Sequence, residues 1–377
     1  MADPMVVIGS GIVGSAVAWK LQSGGAPTVL VDDAEPRGAS YFSFASLSAF
    51  DEPLSAVYFL KGLGMGFWRH WEKDLGDIGV RWDGEIRWAE TPEAAESLRK
   101  MIARATRRGA PVESVSADEL ARLLPNSKPG NVLQASFVPT DGQANPRKAI
   151  AKFREAFSSA GGQFLAGRAR LRFEGDSIFV KVGEHEVGAS KVLVAGGAET
   201  PEFLDRLGWD VPLEPSPGLL VLTESMDPVL KGTAYISPAD GPAIHLRQQY
   251  DDRVLIGERS QDFVVTQPTI AHATELLRQA QRFFPILKGA RVSEFTVEWR
   301  PMPRDGMPII GPLPGFPAVY VATGHSGVTI APAVAELLKQ ELVEGQPAPR
   351  LQPFSPARFA NRQAAVAEQV EAAFNRA

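Results

Sequence analysis

The patterned part of the chain opens on four apolar residues, Met5-Val6-Val7-Ile8. After a glycine-rich turn the apolar positions switch to helical spacing across Ile12 to Gln22, and Thr28 to Val31 then reads as a second buried, β-branched strand. Strand, turn, helix and strand within the first 35 residues predict half of a mononucleotide-binding fold. A long helix is expected over Ala56 to Leu75, with Phe59, Leu63, Phe67 and Trp71 at three- and four-residue steps. Residues 41–90 hold 11 of the chain's 32 aromatic residues, so this helix is either a core element or a wall against a bound apolar group or a second subunit.

Pro92 to Arg108, Ala117 to Leu124 and Pro146 to Ala160 read as helices, the last opening with proline in its first turn, and Leu133 to Val138 as a strand. Gly162 to Phe173, Ser177 to Val182 and His185 to Gly188 look like a meander that ends in a strand over Lys191 to Ala195. Leu219 to Thr223, Ala234 to Ser237, Ala243 to Arg247, Arg253 to Gly257 and Ala290 to Trp299 alternate as antiparallel strands do, around a helix over Thr269 to Phe283. A strand over Ala318 to Ala322, a Thr-Gly-His-Ser-Gly turn and a helix from Thr329 to Glu344 mirror the N-terminus. Gln346 to Pro356 reads as a linker or packed arm, and Pro356 to Phe374 as a terminal helix.

Nucleotide-type segments therefore occur at the start, near residue 190 and near residue 320, with antiparallel material between them. The expected fold class is α/β, a Rossmann-like binding domain interwoven with a second domain on a mostly antiparallel sheet. The boundaries that follow are 1–48, 140–215 and 297–346 for the binding domain, 49–139 and 216–296 for the substrate domain, and 347–377 for a C-terminal arm and helix.

Composition narrows the chemistry. With 39 Lys plus Arg against 44 Asp plus Glu, the net charge of -5 offers no basic field for nucleic acid. Cysteine is absent, which removes disulfides, iron–sulfur clusters, thiolate zinc and any cysteinyl cofactor link, so redox chemistry, if present, must be borrowed from an organic cofactor, and a non-covalent one is expected. No apolar run reaches the roughly 18 residues of a membrane span and no charged-then-apolar leader precedes Val6, so a cytoplasmic location is expected. His70, His185, His245, His272 and His325 show no paired ligand spacing, and no metal site is expected.

Gly9-Ser10-Gly11-Ile12-Val13-Gly14 fits G-x-G-x-x-G, follows a strand, opens a helix, and is answered by Asp32 at the tip of the next strand. Gly9 permits the tight turn, Gly11 the approach of a pyrophosphate and Gly14 close helix–strand packing, while Asp32 is placed to accept from ribose hydroxyls. A dinucleotide is implied, and the motif alone leaves NAD and FAD open.

Three further segments carry a resemblance: Gly38-Ala39-Ser40, Val192 to Ala198, and Trp299-Arg300-Pro301-Met302-Pro303-Arg304-Asp305-Gly306-Met307-Pro308-Ile309-Ile310-Gly311 with Val319 to Val328. With the N-terminal fingerprint they resemble the FAD-dependent D-amino acid oxidase-like family, which includes glycine and sarcosine oxidases, over residues 5 to about 345. The resemblance implies that FAD is held by Gly9, Gly11, Ile12, Val13, Gly14, Asp32, Ser40, Ser46, Gly196, Gly324, His325, Ser326, Gly327 and Val328. It also implies that Arg300 grips a substrate carboxylate and that His245 faces the substrate pocket. A guanidinium suits the first role because it binds a carboxylate in a bidentate fork at any working pH.

The expected reaction is oxidation of the C–N bond of an amino acid or N-substituted glycine, with oxygen as acceptor, on a small amine carrying a carboxylate. The alternative is a dehydrogenase subunit, opine or hydroxyproline dehydrogenase-like, that passes electrons to a partner. No lysine matches the one some sarcosine oxidases use to activate oxygen, which keeps the acceptor open, as is assembly into a homo-oligomer.

Overall fold

A computed structural model of the chain describes residues 3–33, 35, 37–258 and 267–360. In chain order the first elements are β1 (Met5–Ile8), α1 (Ile12–Ser23), β2 (Thr28–Asp32), β3 (Ser46–Leu47), α2 (Ser55–Leu75), β4 (Val80–Arg81), β5 (Glu85–Ala89) and α3 (Pro92–Arg107). Next come β6 (Glu113–Val115), α4 (Ala117–Leu123), β7 (Gln134–Val138), β8 (Gly142–Ala144), α5 (Pro146–Ser159), β9 (Gln163–Ala166), β10 (Ala169–Glu174), β11 (Ser177–Val182), β12 (His185–Ala189) and β13 (Lys191–Val194). The chain ends with α6 (Thr200–Leu204), β14 (Leu213–Thr223), β15 (Thr233–Ser237), β16 (Ile244–Gln248), β17 (Val254–Glu258), α7 (Ile270–Phe283), β18 (Val292–Pro303), β19 (Ile309–Leu313), β20 (Phe316–Thr323) and α8 (Gly327–Leu342).

The chain divides into two compact units. The first comprises Met1–Tyr41, Ile150–Pro215 and the residues from Arg300 onward, and the second Phe42–Ala149 and Ser216–Trp299. The divisions fall inside β14 and β18.

In the first unit β19-β20-β13-β1-β2-β9 form one sheet, parallel apart from the antiparallel edge strand β19. Val6, Val7 and Ile8 of β1 are buried, as are Val192, Leu193 and Val194 of β13, so both faces of these strands are covered and their apolar runs are continuous. Helices α1 and α8 pack against each other, with a Lys20–Glu336 ion pair at 2.8 Å. β10-β11-β12 form a separate meander. The expected single strand Gly162 to Phe173 is two: Gly167 donates to the Asp32 carbonyl and turns the chain, so β9 joins the parallel sheet and only β10 enters the meander.

In the second unit eight strands run β18-β14-β17-β16-β15-β5-β7-β6. From β14 to β6 neighbouring strands pair antiparallel, except that β5 pairs with β15 in parallel. One face carries Ile86, Trp88, Ala234, Ile236, Ile244, Leu246 and Ile256, and α7 covers it with Ala273, Leu276, Leu277, Ala280 and Phe283. That pattern follows from the period-two strands meeting the apolar stripe of an amphipathic helix.

Two expectations are corrected. In α2 the buried side is Val57, Leu60, Lys61, Gly64, Met65, Trp68 and Trp71, while Phe59 stands 66% exposed. Apolar residues occur at helical spacing in two phases here, and the winning phase buries Lys61 and brings it to half-buried Glu52 at 3.0 Å. The expected terminal helix begins instead as a 3-10 turn over Pro356–Phe359 that Ser355 caps, and the remainder of its span lies outside the described residues.

Gly14 and Gly62 provide a matched pair of tests. A Cβ on Gly14 would stand 1.8 Å from the Gly9 carbonyl oxygen, whereas a Cβ on Gly62, exposed in mid-helix, meets nothing within 4 Å. Gly14→Ala should destabilise by more than about 2 kcal/mol and Gly62→Ala should stabilise by about 0.5–1 kcal/mol, read by urea unfolding. Equal responses would show that the helix–strand approach is not tight.

Candidate functional site

The first unit gathers most of the expected cofactor residues at the C-terminal edge of its parallel sheet. Gly9 leaves β1 at φ +99°, and a Cβ there would lie 2.5 Å from the Ala195 carbonyl oxygen. Neither Gly9 nor Gly14 can carry a side chain, so α1 springs directly from the strand tip. Gly11 is the N-cap and supplies no side-chain cap, while Ile12 N–H donates to Ser40 Oγ at 3.1 Å. The N–H groups of Val13 and Gly14, in the first turn, have no intrahelical acceptor by geometry, and the positive end of the helix dipole lies with them.

A second helix start lies beside the first. α8 begins at Gly327 and Val328 behind Ser326, a non-glycine residue at φ +60° that gives no side-chain cap. A Cβ on Gly327 would touch Val13 Cγ2 at 3.7 Å, so the two uncapped N-terminal turns are neighbours. Gly324 leaves β20 at φ +152° with its α-carbon pressed toward Pro308, and His325 is exposed on the same turn. Gly196 leads β13 into a 3-10 turn whose Gly197 carbonyl accepts from Thr323 Oγ1 at 2.9 Å. Loops after β1, β13 and β20 thus converge. A pyrophosphate fits this cradle: the first-turn N–H groups of Val13 and Gly14 lack intrahelical acceptors, and the positive ends of two neighbouring helix dipoles favour an anion.

Asp32 takes a part that its spacing did not foretell. Its carboxylate accepts from the Ser10 N–H at 2.5 Å and from Ser10 Oγ at 2.8 Å, and Arg154 donates to the same hydroxyl. Asp32 therefore ties the glycine turn to the second strand.

In the second unit the sheet face opposite α7 is polar. Cross-strand register sets Arg87, Tyr235, His245 and Gly257 in one row across β5, β15, β16 and β17, and Glu85, Thr233, Arg247 and Leu255 in the next. Half-buried His245 stacks on Tyr235 with centroids 5.4 Å apart and meets Phe44 edge-on at 4.2 Å. A Cβ on Gly257 would come within 2.3 Å of His245 Nε2, so the glycine makes room for the imidazole. Beside Phe44, Ala45 holds φ +52°, a second non-glycine residue in the left-handed region. Expected at the flavin, Ser46 lies on this face, and its hydroxyl donates to Glu85 at 3.3 Å.

Buried charges support the row. Arg87 is 4% exposed and pairs with Glu85 at 2.6 Å and Asp51 at 3.2 Å; its neighbours' charges hold its pKa above the ordinary arginine range despite burial. Arg247, 1% exposed, gives Nη1 to the Gln143 amide oxygen at 2.7 Å and to the Ala144 carbonyl at 3.0 Å, and burial pulls its pKa down to about 10. Burial, with Glu85 nearby, holds the Asp141 carboxyl well above the usual carboxylate range, and Ser48 Oγ donates to it at 2.5 Å.

Arg300 lies near the end of β18 on the first unit's side of the division, and burial lowers its pKa. Arg300 and His245 thus belong to different units. Glu85, Arg87, Tyr235 and Arg247 were missed in the sequence. Their signal was the period-two alternation of Glu85-Ile86-Arg87-Trp88-Ala89, obscured by the aromatic bias of that stretch. Among the described residues no group of three or more acidic or histidine side chains could hold a metal, and no helix is long and apolar enough to cross a membrane.

Comparison with known proteins agrees with these features. The family model described as FAD dependent oxidoreductase (DAO) matches residues 5–341. The chain is 25% identical to one of the subunits of the opine oxidase of Rhizobium meliloti, over 96% of this chain and 98% of that one. It is 24% identical to glycine oxidase of Bacillus subtilis (strain 168), over 88% and 91% respectively. The solved structure of glycine oxidase from Geobacillus kaustophilus superposes with a TM-score of 0.85 at 23% identity, covering 94% of this chain and 98% of that one.

Asp141 yields a pH prediction. Its raised pKa means the folded chain keeps a proton that the unfolded chain releases, so this contribution to stability is present at low pH and fades as pH climbs toward the folded value. Asp141→Asn should flatten that decline, with a slope difference of up to about 1.4 kcal/mol per pH unit above the ordinary carboxylate range. Urea unfolding of the two holoproteins at a series of pH values reads this. Parallel curves would mean that Asp141 is ionised in the folded protein.

Proposed function

The chain belongs to the DAO family of FAD-dependent oxidoreductases, and from that premise we propose that it oxidises the C–N bond of a carboxylate-bearing amine, an amino acid or N-substituted glycine. The carrying observation is the pair of neighbouring uncapped helix starts in the first unit together with a half-buried arginine, Arg300, on the strand that ends there. Val13, Gly14, Gly327 and Val328 offer N–H groups to FAD, which supplies the two-electron acceptor for the hydride leaving the α-carbon.

The chain's own task is orientation. Arg300 takes the carboxylate, and its partial desolvation strengthens that contact. His245 is held between Phe44 and Tyr235 on the second unit's polar face. The amine reacts in its neutral form, so its nitrogen lone pair assists hydride departure, and water hydrolyses the imine to a carbonyl compound and the free amine. Oxygen is the acceptor in this reading, giving hydrogen peroxide. Similarity to the opine oxidase chain of Rhizobium meliloti, itself one subunit of that enzyme, favours a second reading, in which electrons pass to a partner chain.

Anaerobic mixing with D-amino acids, N-alkyl glycines and opines should bleach the flavin bands, and admitting air separates the two readings by the speed of their return. Arg300→Ala should retain FAD while kcat/KM falls by about 100-fold or more, and Arg300→Lys should recover part of it. Undiminished turnover in Arg300→Ala would remove the carboxylate role.

A further inference from the structure

Asp32 is held by one oxygen only. Its Oδ2 accepts both the Ser10 N–H at 2.5 Å and the Ser10 hydroxyl at 2.8 Å, while no donor reaches Oδ1 among the described residues. The Asp33 carboxyl stands beside it and has a cation of its own: Arg37 pairs with Asp33 and, at 3.2 Å, with Glu199. Asp32 has no such direct partner. The charge that answers it is one hydroxyl further away.

That charge is Arg154, half-buried on α5. Among the described residues it pairs with no carboxylate, and its Nε is buried without a hydrogen-bond partner. Its guanidinium donates to the Ser10 hydroxyl and lies 5.1 Å from the centre of the Phe164 ring. Leaving a donor unmet in the interior is costly, so stability alone gives no reason for an arginine at this place. Proton bookkeeping gives one. A guanidinium can only donate, and a serine hydroxyl has a single proton. With Arg154 on a lone pair of Ser10 Oγ, that proton is left for Asp32, and two donors then fix the carboxylate through the same oxygen. Ser10 is 2% exposed, so water does not compete for its hydroxyl, and all three residues belong to the first unit.

We propose that Arg154 is a positioning residue for cofactor selection: by committing the Ser10 hydroxyl to Asp32, it keeps the second carboxylate oxygen for the 2′-hydroxyl of the adenosine ribose of FAD. An acid at the tip of the second strand is the group that meets this hydroxyl in a dinucleotide fold, and an ionised carboxylate oxygen can only accept, so the arrangement selects ribose over deoxyribose. Neither the glycine fingerprint nor the spacing of the acid points to Arg154, which lies 144 residues along the chain from Ser10. The assignment concerns FAD alone and is independent of which amine is oxidised.

The test titrates the full chain, stripped of flavin, with FAD and with its 2′-deoxyadenosine analogue, following flavin fluorescence. Wild type should bind FAD about tenfold or more tightly than the analogue. Arg154→Met should cut that ratio to about threefold or less by weakening FAD, with the analogue's dissociation constant moving by no more than about twofold. Arg154→Lys, which still donates, should keep most of the ratio. Ser10→Ala should lower it as Arg154→Met does, and the double variant should fall no further, because both changes act through one hydroxyl. A wild-type ratio near one overturns the assignment. So does an Arg154→Met protein whose two dissociation constants rise together, or one that keeps the wild-type ratio while its urea midpoint falls. The expected ratios in a protein whose flavin no amine bleaches would support Arg154 and count against amine oxidation.

Discussion

A single carbonyl oxygen governs the binding unit. The Gly9 oxygen occupies the place that a side chain on residue 14 would need, and the Ala195 oxygen does the same to residue 9. Helix, turn and two strands therefore meet at backbone distance. Everything functional in that unit follows from the closeness: α1 starts at the sheet edge, its first turn lies against that of α8, and Asp32 can reach back to Ser10. The cradle is formed by the absence of atoms. Side chains serve chiefly to fix the turn that leaves the space.

The second unit solves a different problem. Its sheet has a dry face and a charged face, and the charged one is buried at a cost that only a complete set of partners offsets. Arg87, in Tyr235's row, and Glu85, in the next, neutralise each other, Lys61 brings a cation from α2, and burial raises the Asp141 pKa well above the usual carboxylate range. Such a face is rigid because moving any member exposes another to an unmet charge. A histidine held between two rings on that face has a fixed position.

The fold was legible where periodicity was strong. β1, α1, β2, α7 and most of the sheet strands fall within a residue or two of the expected spans, because their apolar faces are covered by partners that the same pattern implies. The glycine fingerprint read correctly as backbone geometry. Two things were hidden. The phase of α2 depends on where Lys61 finds Glu52, a tertiary fact that competes with an equally regular aromatic stripe. The Glu85–Arg87–Tyr235–Arg247 face was hidden because charged residues alternating along a strand read as solvent-facing, and only the fold shows that this side is closed. Asp32 was found by position but not by partner, since its bond to Ser10, 22 residues back, depends on β1 and β2 lying side by side.

The order of strands in the binding sheet has a bearing on synthesis. β1 is made some 180 residues ahead of its neighbour β13, and β20, which completes the row beside β13, follows more than a hundred residues after that. The β1–α1–β2 unit thus waits with one strand edge open while the chain up to β13 is made, a state that invites pairing with other nascent chains. Final closure depends on contacts of long sequence separation, which form slowly. Production of this protein is therefore expected to be governed less by the stability of the finished fold than by what shields β1 while the middle of the chain is being made.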